Sequence, residues 1–164
     1  MASGSSLPDL TVAEDFGGDW ATYEEALWAQ FRRDFLLSRP QWEGWDVVVD
    51  RKLGPHGREV RFWHLIEKGE PGCSEDERRP EYDRCERLTW IRYILEHPAA
   101  LDARSWIEKT RKGTKVKIAL PDFSYLIVLK QARDHFRLIT AYPVDDNGHS
   151  RERLRREHAR FGSV

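Results

Sequence analysis

The side chains of this sequence that are suited to chemistry include a histidine, His64, two hydroxyl groups, Thr140 and Tyr142, and scattered arginines and lysines. There is no GxxxxGK(S/T) phosphate loop, no GxGxxG after a predicted strand and no acidic cluster typical of metal-dependent nucleases. The residue types present suit RNA cleavage without a metal: a base takes the 2′-OH proton, an acid protonates the leaving 5′-oxygen, and cations stabilise the phosphate. We therefore expect no cofactor and no metal site.

The histidine and the two hydroxyl groups each allow two interpretations. His64 interrupts the apolar face of a strand predicted over residues 59 to 67, so it is either a core histidine satisfied by a backbone bond or a catalytic acid or base. Thr140 and Tyr142 continue the face of Phe136 and Leu138 on the last predicted strand. The sequence leaves both a packing role and a functional role open for Thr140 and Tyr142.

The arginines also have more than one interpretation. Arg84, Arg87 and Arg92 lie along one predicted helix, where they either form salt bridges or contact substrate. Arg133 lies at a predicted turn between strands, where solvation is the default. The predicted C-terminal helix carries five arginines, which either clamp RNA, dock an acidic partner or keep the helix soluble; they are Arg151, Arg153, Arg155, Arg156 and Arg160.

The predicted elements form one α+β domain over residues 19 to 164, after a flexible leader over residues 1 to 18. Periodicity predicts a helix up to residue 38, a hairpin of residues 45–51 with 59–67, and helices over 80–96 and 102–110. A three-stranded meander over residues 115–144 and a basic helix over 150–161 follow. We expect an antiparallel sheet, hairpin plus meander, with the helices packed on one face.

Composition limits the possible partners and the location. The chain has 164 residues, of which 40% are hydrophobic and 34% charged, with a formal net charge of −1. A uniform basic coat is therefore absent, and a polyanion site requires local segregation of arginine and lysine. Cys73 and Cys85 have no metal-ligand spacing and are expected to be reduced thiols. No signal-like start or membrane-spanning run is present, so we expect a soluble cytoplasmic protein with no membrane partner.

Four segments resemble the RelE-like toxins and the wider superfamily of small ribonucleases grouped with barnase, EndoU and the tRNase colicins. They are Trp63-His64-Leu65, Arg84-Cys85-Glu86-Arg87, residues 130–133, and Ile139-Thr140-Ala141-Tyr142-Pro143. The chain looks particularly like members carried by phages and mobile elements, which place a His before the helices and a Thr or Tyr on the last strand. The resemblance covers roughly residues 60 to 161 and rests mainly on element order.

This resemblance implies a toxin-type ribonuclease that acts without metal. His64 would be the acid or base, Arg87 and Arg133 would stabilise the phosphate, and Thr140 and Tyr142 would position it. The implied RNA contacts are Arg84, Arg92, Lys130, Arg153 and Arg156. A toxin would have a neutralising antitoxin or immunity protein, often acidic. Two alternatives remain: a non-catalytic interaction protein of a phage or mobile element, or an antitoxin or immunity protein.

Overall fold

The computed structural model describes residues 6–69, 72–74, 77–146 and 149–162. Its helices are α1 (Trp20–Phe31, extended by the π-helical turn Arg32–Leu36), α2 (Val60–Ile66), α3 (Tyr82–Glu86), α4 (Leu88–Glu96) and α5 (Ser150–Phe161). Its strands are β1 (Gln41–Trp42), β2 (Trp45–Val48), β3 (Glu67–Lys68), β4 (Arg79–Pro80), β5 (Arg104–Thr110), β6 (Gly113–Ala119), β7 (Tyr125–Gln131) and β8 (Phe136–Pro143). The predicted α+β class is confirmed.

The main sheet has six strands in the order β1-β2-β8-β7-β6-β5, and β3 pairs with β4 in a separate small sheet. The meander β6-β7-β8 is antiparallel, as predicted. The expectation of a purely antiparallel sheet is wrong, because β2 runs parallel to β8, with Val47 opposite Phe136. A parallel pair needs a long connection, and here residues 49 to 135 supply it.

Both faces of the sheet are covered, whereas the sequence predicts helices on one face only. On the core face, residues of β6, β7 and β8 such as Ile118, Ile127 and Leu138 form one cluster with residues of α1, α2 and α4. On the second face, Ala119, Leu126 and Val128 cluster with Trp106 of β5 and Leu154 of α5. The basic C-terminal helix is therefore part of the packed domain, although most of its arginines are exposed.

The hairpin and the third helix are predicted wrongly. Residues 60–66 form helix α2 instead of a strand, and this helix buries Phe62, Trp63, Leu65 and Ile66, the spacing of one helical face. The observed hairpin joins β1 to β2 through Glu43 and Gly44, whose φ angles of 52° and 84° suit a two-residue turn.

The segment expected to form a third helix is the edge strand β5. Its backbone pairs with β6 from Arg104 opposite Ala119 to Thr110 opposite Gly113. Trp106 is buried and Ile107 is 49% exposed, which is the alternation of a strand with two different faces.

The N-terminal segment contacts the body of the domain. The backbone carbonyl of Pro8 accepts a hydrogen bond from Trp90 Nε1 at 2.9 Å, and that of Thr11 accepts one from the Tyr23 hydroxyl at 2.6 Å. The flexibility expected for residues 1 to 18 stays a prediction, and residues 1–5 lie outside the described residues. Within the described ranges, no helix is both long and apolar enough to cross a membrane.

Candidate functional site: a cationic sheet face

Three cations stand side by side on the second face of the sheet. Lys115 of β6 is directly opposite Lys130 of β7, and Lys130 is directly opposite Arg137 of β8. We call these three residues the cationic row. Lys115 and Lys130 are half-buried and Arg137 is exposed. Like charges placed directly opposite one another destabilise a sheet, so this arrangement opposes folding unless an anion binds there.

No acidic side chain of the described residues pairs with the cationic row. Glu108 lies opposite Lys115 in register, but its carboxylate contacts the Lys117 ammonium at 2.9 Å instead. Lys117 also contacts Glu157 of α5 at 2.6 Å. Burial lowers the pKa of Lys117, but its hydrogen bonds to Glu157 and Glu108 outweigh this effect and leave the pKa raised. The protein thus neutralises the neighbouring lysine and leaves the row without an acidic partner in the described part of the chain.

The stem of Lys130 lies over the backbone of Gly113 at the β5–β6 turn. A Cβ atom at Gly113 would lie 3.1 Å from Lys130 Cε, and the φ of Gly113 is +126°, a conformation that glycine adopts readily. Because Gly113 has no side chain, the Lys130 side chain has room to lie along the sheet at this position.

A β-bulge decides which face carries the predicted hydroxyl groups. Leu138 pairs with Leu129 and Thr140 pairs with Val128, so Ile139 is an extra residue in β8. After this residue the alternation reverses, and Ala141 joins the core cluster. The expectation that Thr140 and Tyr142 share the face of Leu138 is therefore wrong: they lie on the second face, with the cationic row.

Helix α2 lies beside the second half of β8, the part of this strand that does not pair with β2. The Arg61 guanidinium donates a hydrogen bond to the carbonyl of Ile139, the bulge residue. Arg61 and His64 are one helical turn apart, and both are half-buried on the side of α2 away from its core residues. The fold therefore brings the helix that carries His64 to the strand that carries Thr140 and Tyr142.

Arg84 connects His64 to Tyr142. Its Nη1 donates hydrogen bonds to the backbone carbonyls of His64 at 3.0 Å and Glu67 at 2.9 Å, at the C-terminus of α2. Its guanidinium carbon lies 5.4 Å from the centre of the Tyr142 ring, and burial lowers its pKa. Arg84 thus ties α3 to the C-terminal end of α2 and lies against Tyr142 of β8. The RNA contact implied for Arg84 by the resemblance stays a prediction.

Two of the other arginines lie away from this junction. Arg87 Nη1 donates to the Asp83 carbonyl at 3.0 Å, and Arg87 lines a cavity of about 540 Å³ beyond Tyr142, beside Pro143. Arg92 donates to the Asp34 carbonyl at 3.0 Å and to Glu96 at 2.8 Å, which ties α4 to the end of α1.

Arg133 lies at the opposite end of β8 from Tyr142. It is exposed in the turn between β7 and β8. The six residue steps from Phe136 to Tyr142 correspond to about 20 Å of extended chain, so Arg133 and Tyr142 do not share one phosphate. Lys130 is closer to the Arg133 end, in the cationic row.

The predicted RNA contacts on α5 occupy its exposed side. Arg156 pairs with Glu152 at 3.6 Å, and Arg153 is exposed with no ion pair to any other described residue. Leu154 between them is buried against the second face. The helix therefore presents Arg153 and Arg156 away from its packed side.

Sequence reasoning missed Lys115, Arg137 and Arg61. A signal for Lys115 was available, because the predicted turn over residues 121–124 places Lys115 opposite Lys130. The predicted turn over residues 131–134 places His135 opposite Lys130, so the pairing of Lys130 with Arg137 came only from the observed register. Arg61 was obscured by the incorrect strand prediction for its segment.

Among the described residues, no group of three or more histidine, cysteine, aspartate or glutamate side chains is arranged to hold a metal ion. Both cysteines are free thiols. Comparison of the chain with family models, with curated proteins and with solved structures finds no match.

Proposed function

We propose that this protein is a metal-independent ribonuclease of toxin type that holds RNA along strand β8 on the second face of its sheet. The observation that carries the proposal is the cationic row, three neighbouring cations without an acidic partner in the described part of the chain. Phosphates supply the missing negative charge, and cation–phosphate contacts provide most of the affinity of proteins for a nucleic-acid backbone.

The proposed cleavage site lies at the other end of the same face, by Thr140 and Tyr142. Arg137 and Tyr142 are five residues apart on β8, about 15 Å, so a single strand of several nucleotides spans both. In this proposal the hydroxyl groups of Thr140 and Tyr142 donate hydrogen bonds to the scissile phosphate. A phosphate at this corner also lies near the positive charge of Arg84, which stacks on Tyr142.

The proposed reaction is attack of the 2′-oxygen on the adjacent phosphorus. His64 accepts the 2′-OH proton as the O2′–P bond forms, and the P–O5′ bond breaks. The 5′-oxygen leaves as an alcohol after it takes a proton from an acid at the same corner, for which the Tyr142 hydroxyl is the candidate. The products are a 2′,3′-cyclic phosphate and a 5′-hydroxyl end.

The test is cleavage of a labelled single-stranded RNA in the presence of EDTA. The wild-type protein is expected to release 2′,3′-cyclic phosphate ends, and His64→Ala is expected to reduce the rate by about 100-fold or more. His97→Ala is the matched control, because His97 is an exposed histidine on the far end of α4. Wild-type protein that leaves RNA intact, or His64→Ala with full activity, would refute the ribonuclease proposal.

The toxin part of the proposal has its own test. Expression of the wild-type chain in a bacterial host is expected to stop growth, and His64→Ala is expected to be tolerated at the same expression level. A cytoplasmic location and a neutralising partner belong to this proposal. Harmless expression of active, folded protein would leave a ribonuclease that is not a toxin.

A non-catalytic RNA-binding protein is the second candidate, because the cationic row by itself supports binding and not cleavage. The same proteins and RNA distinguish this candidate from a ribonuclease. A non-catalytic binding protein would bind RNA less tightly when the cationic row is neutralised, and the wild-type protein would not cleave the RNA. Such a result would retain the RNA site and remove the enzymatic role of His64.

A further inference from the structure

An aromatic cleft lies at the edge of the sheet, next to the C-terminal end of α5. Its volume is about 560 Å³, and it lies between the β1–β2 hairpin and strand β5. Trp45, Ile107 and Phe161 line it and are exposed by 39%, 49% and 47%, respectively. Three large apolar side chains exposed in one cleft are typical of a surface that binds another molecule.

The outer edge of β5 borders this cleft and is not paired with another strand, although Phe161 and Gly162 at the end of α5 lie near it and line the same cleft. β5 is the last strand of the sheet, and its seven residues pair with β6 on one side only. In the described part of the chain, no turn or loop donates a backbone hydrogen bond to residues 104–110. An open edge of this length can accept another extended chain through main-chain hydrogen bonds.

The charge beside this edge selects the partner. Lys109, Arg111 and Lys112 follow Ile107 at the end of β5 and in the β5–β6 turn, and all are exposed without an ion pair to another described residue. Glu108, on the second face, contacts Lys117. One carboxylate, Glu43 of the β1–β2 turn, lines the cleft, so cations outnumber it beside the unpaired edge. This positive excess favours an acidic segment and disfavours pairing of β5 with β5 of a second copy.

We propose that the β5 edge and the aromatic cleft bind an extended acidic segment of a partner protein. The segment adds to β5 as a further strand, places a large apolar side chain against Trp45 and Ile107, and directs its carboxylates toward Lys109 and Arg111. This inference does not rest on the ribonuclease proposal.

The test begins with a displayed library of random linear peptides of about ten residues, selected on the wild-type protein. The enriched peptides are expected to combine Asp or Glu with large apolar residues at alternate positions. Synthetic versions are expected to bind at least about tenfold more weakly to Ile107→Lys and to Lys109→Glu. Leu53→Lys is the matched control, because Leu53 is 62% exposed and is not among the residues lining the cleft.

Backbone amide exchange measured by NMR identifies the mode of binding. The expected result is slower exchange in residues 104–110 when the peptide is bound, with unchanged unfolding midpoints for the three variants. The proposal would be overturned by enriched peptides that bind Ile107→Lys as well as wild type, by helical peptides that leave β5 exchange unchanged, or by a selection without enrichment. A wild-type dimer that Ile107→Lys dissociates would also overturn it in favour of a second copy.

Discussion

Replacing Lys130 with glutamate tests whether the cationic row sacrifices stability for binding. Lys130 is the middle member, with Lys115 opposite on one side and Arg137 on the other. The substitution Lys130→Glu converts two like-charge contacts into two opposite-charge contacts. It is therefore expected to stabilise the fold and to weaken RNA binding at the same time.

The magnitude follows from the cross-strand geometry. Each directly opposite charged pair contributes about 0.2–1 kcal/mol, and partial exposure of the row favours the lower half of that range. Two pairs then give about 1 kcal/mol of added stability, which raises the melting temperature of a domain of this size by about 2–4 °C. One lost phosphate contact on single-stranded RNA lowers the slope of log K against log salt by about 0.7.

The assays are thermal unfolding and RNA binding over a series of salt concentrations, with EDTA and 2′-deoxy-substituted RNA to prevent cleavage. Lys109→Glu is the matched control: it makes the same charge change on β5, opposite Thr114 and away from the row. The control is expected to retain RNA affinity. A lower melting temperature for Lys130→Glu would refute the repulsion within the row, and unchanged RNA affinity would refute the RNA site.

Three further predictions concern the packing around the site. Arg84→Ala is expected to lower the free energy of unfolding in urea by about 2–3 kcal/mol, because two partly buried carbonyls lose a charged donor; a loss below about 0.5 kcal/mol would contradict this role. Burial raises the pKa of Glu157, but hydrogen bonds from Lys117 and from the indole of Trp106 outweigh this effect and lower the pKa below its ordinary value of 4.5. The stability that Glu157 contributes is thus present above pH 4.5 and lost as the pH falls through the lowered pKa, so Glu157→Gln should show a shallower decline in melting temperature between about pH 5 and about pH 2; identical pH profiles would exclude the contribution. Burial raises the pKa of the Cys85 thiol to about 12, so Cys73→Ser protein at about pH 8 should react with a disulfide reagent only after unfolding, and rapid reaction of the folded variant would disprove this.

The sequence determined those elements whose local pattern and tertiary setting agree. The meander, the first helix and the basic helix Ser150–Phe161 were all predictable from periodicity and turn residues. Each has a long periodic pattern or a neighbour adjacent in the chain, so short-range signals are sufficient.

The sequence alone did not determine whether the short apolar segments form helices or strands. Side chains of residues 60–66 alternate between two faces if the segment is a strand, yet the same residues place four large apolar side chains on one side of a helix. Packing against α1 and β8 selects the helix. Residues 104–110 have a helical pattern, yet pairing with β6 selects a strand. The parallel β2–β8 pair joins segments nearly ninety residues apart, beyond the reach of any local pattern.

The candidate site depended most on tertiary structure. The sequence identified His64, Thr140, Tyr142 and Lys130 as residues suited to RNA chemistry. The bulge at Ile139 alone places Thr140 and Tyr142 on the face of the cationic row, because one extra residue reverses the side on which every later side chain of a strand lies. The composition, with a net charge of −1, required local segregation of cations, and the register of three strands is what brings Lys115, Lys130 and Arg137 together.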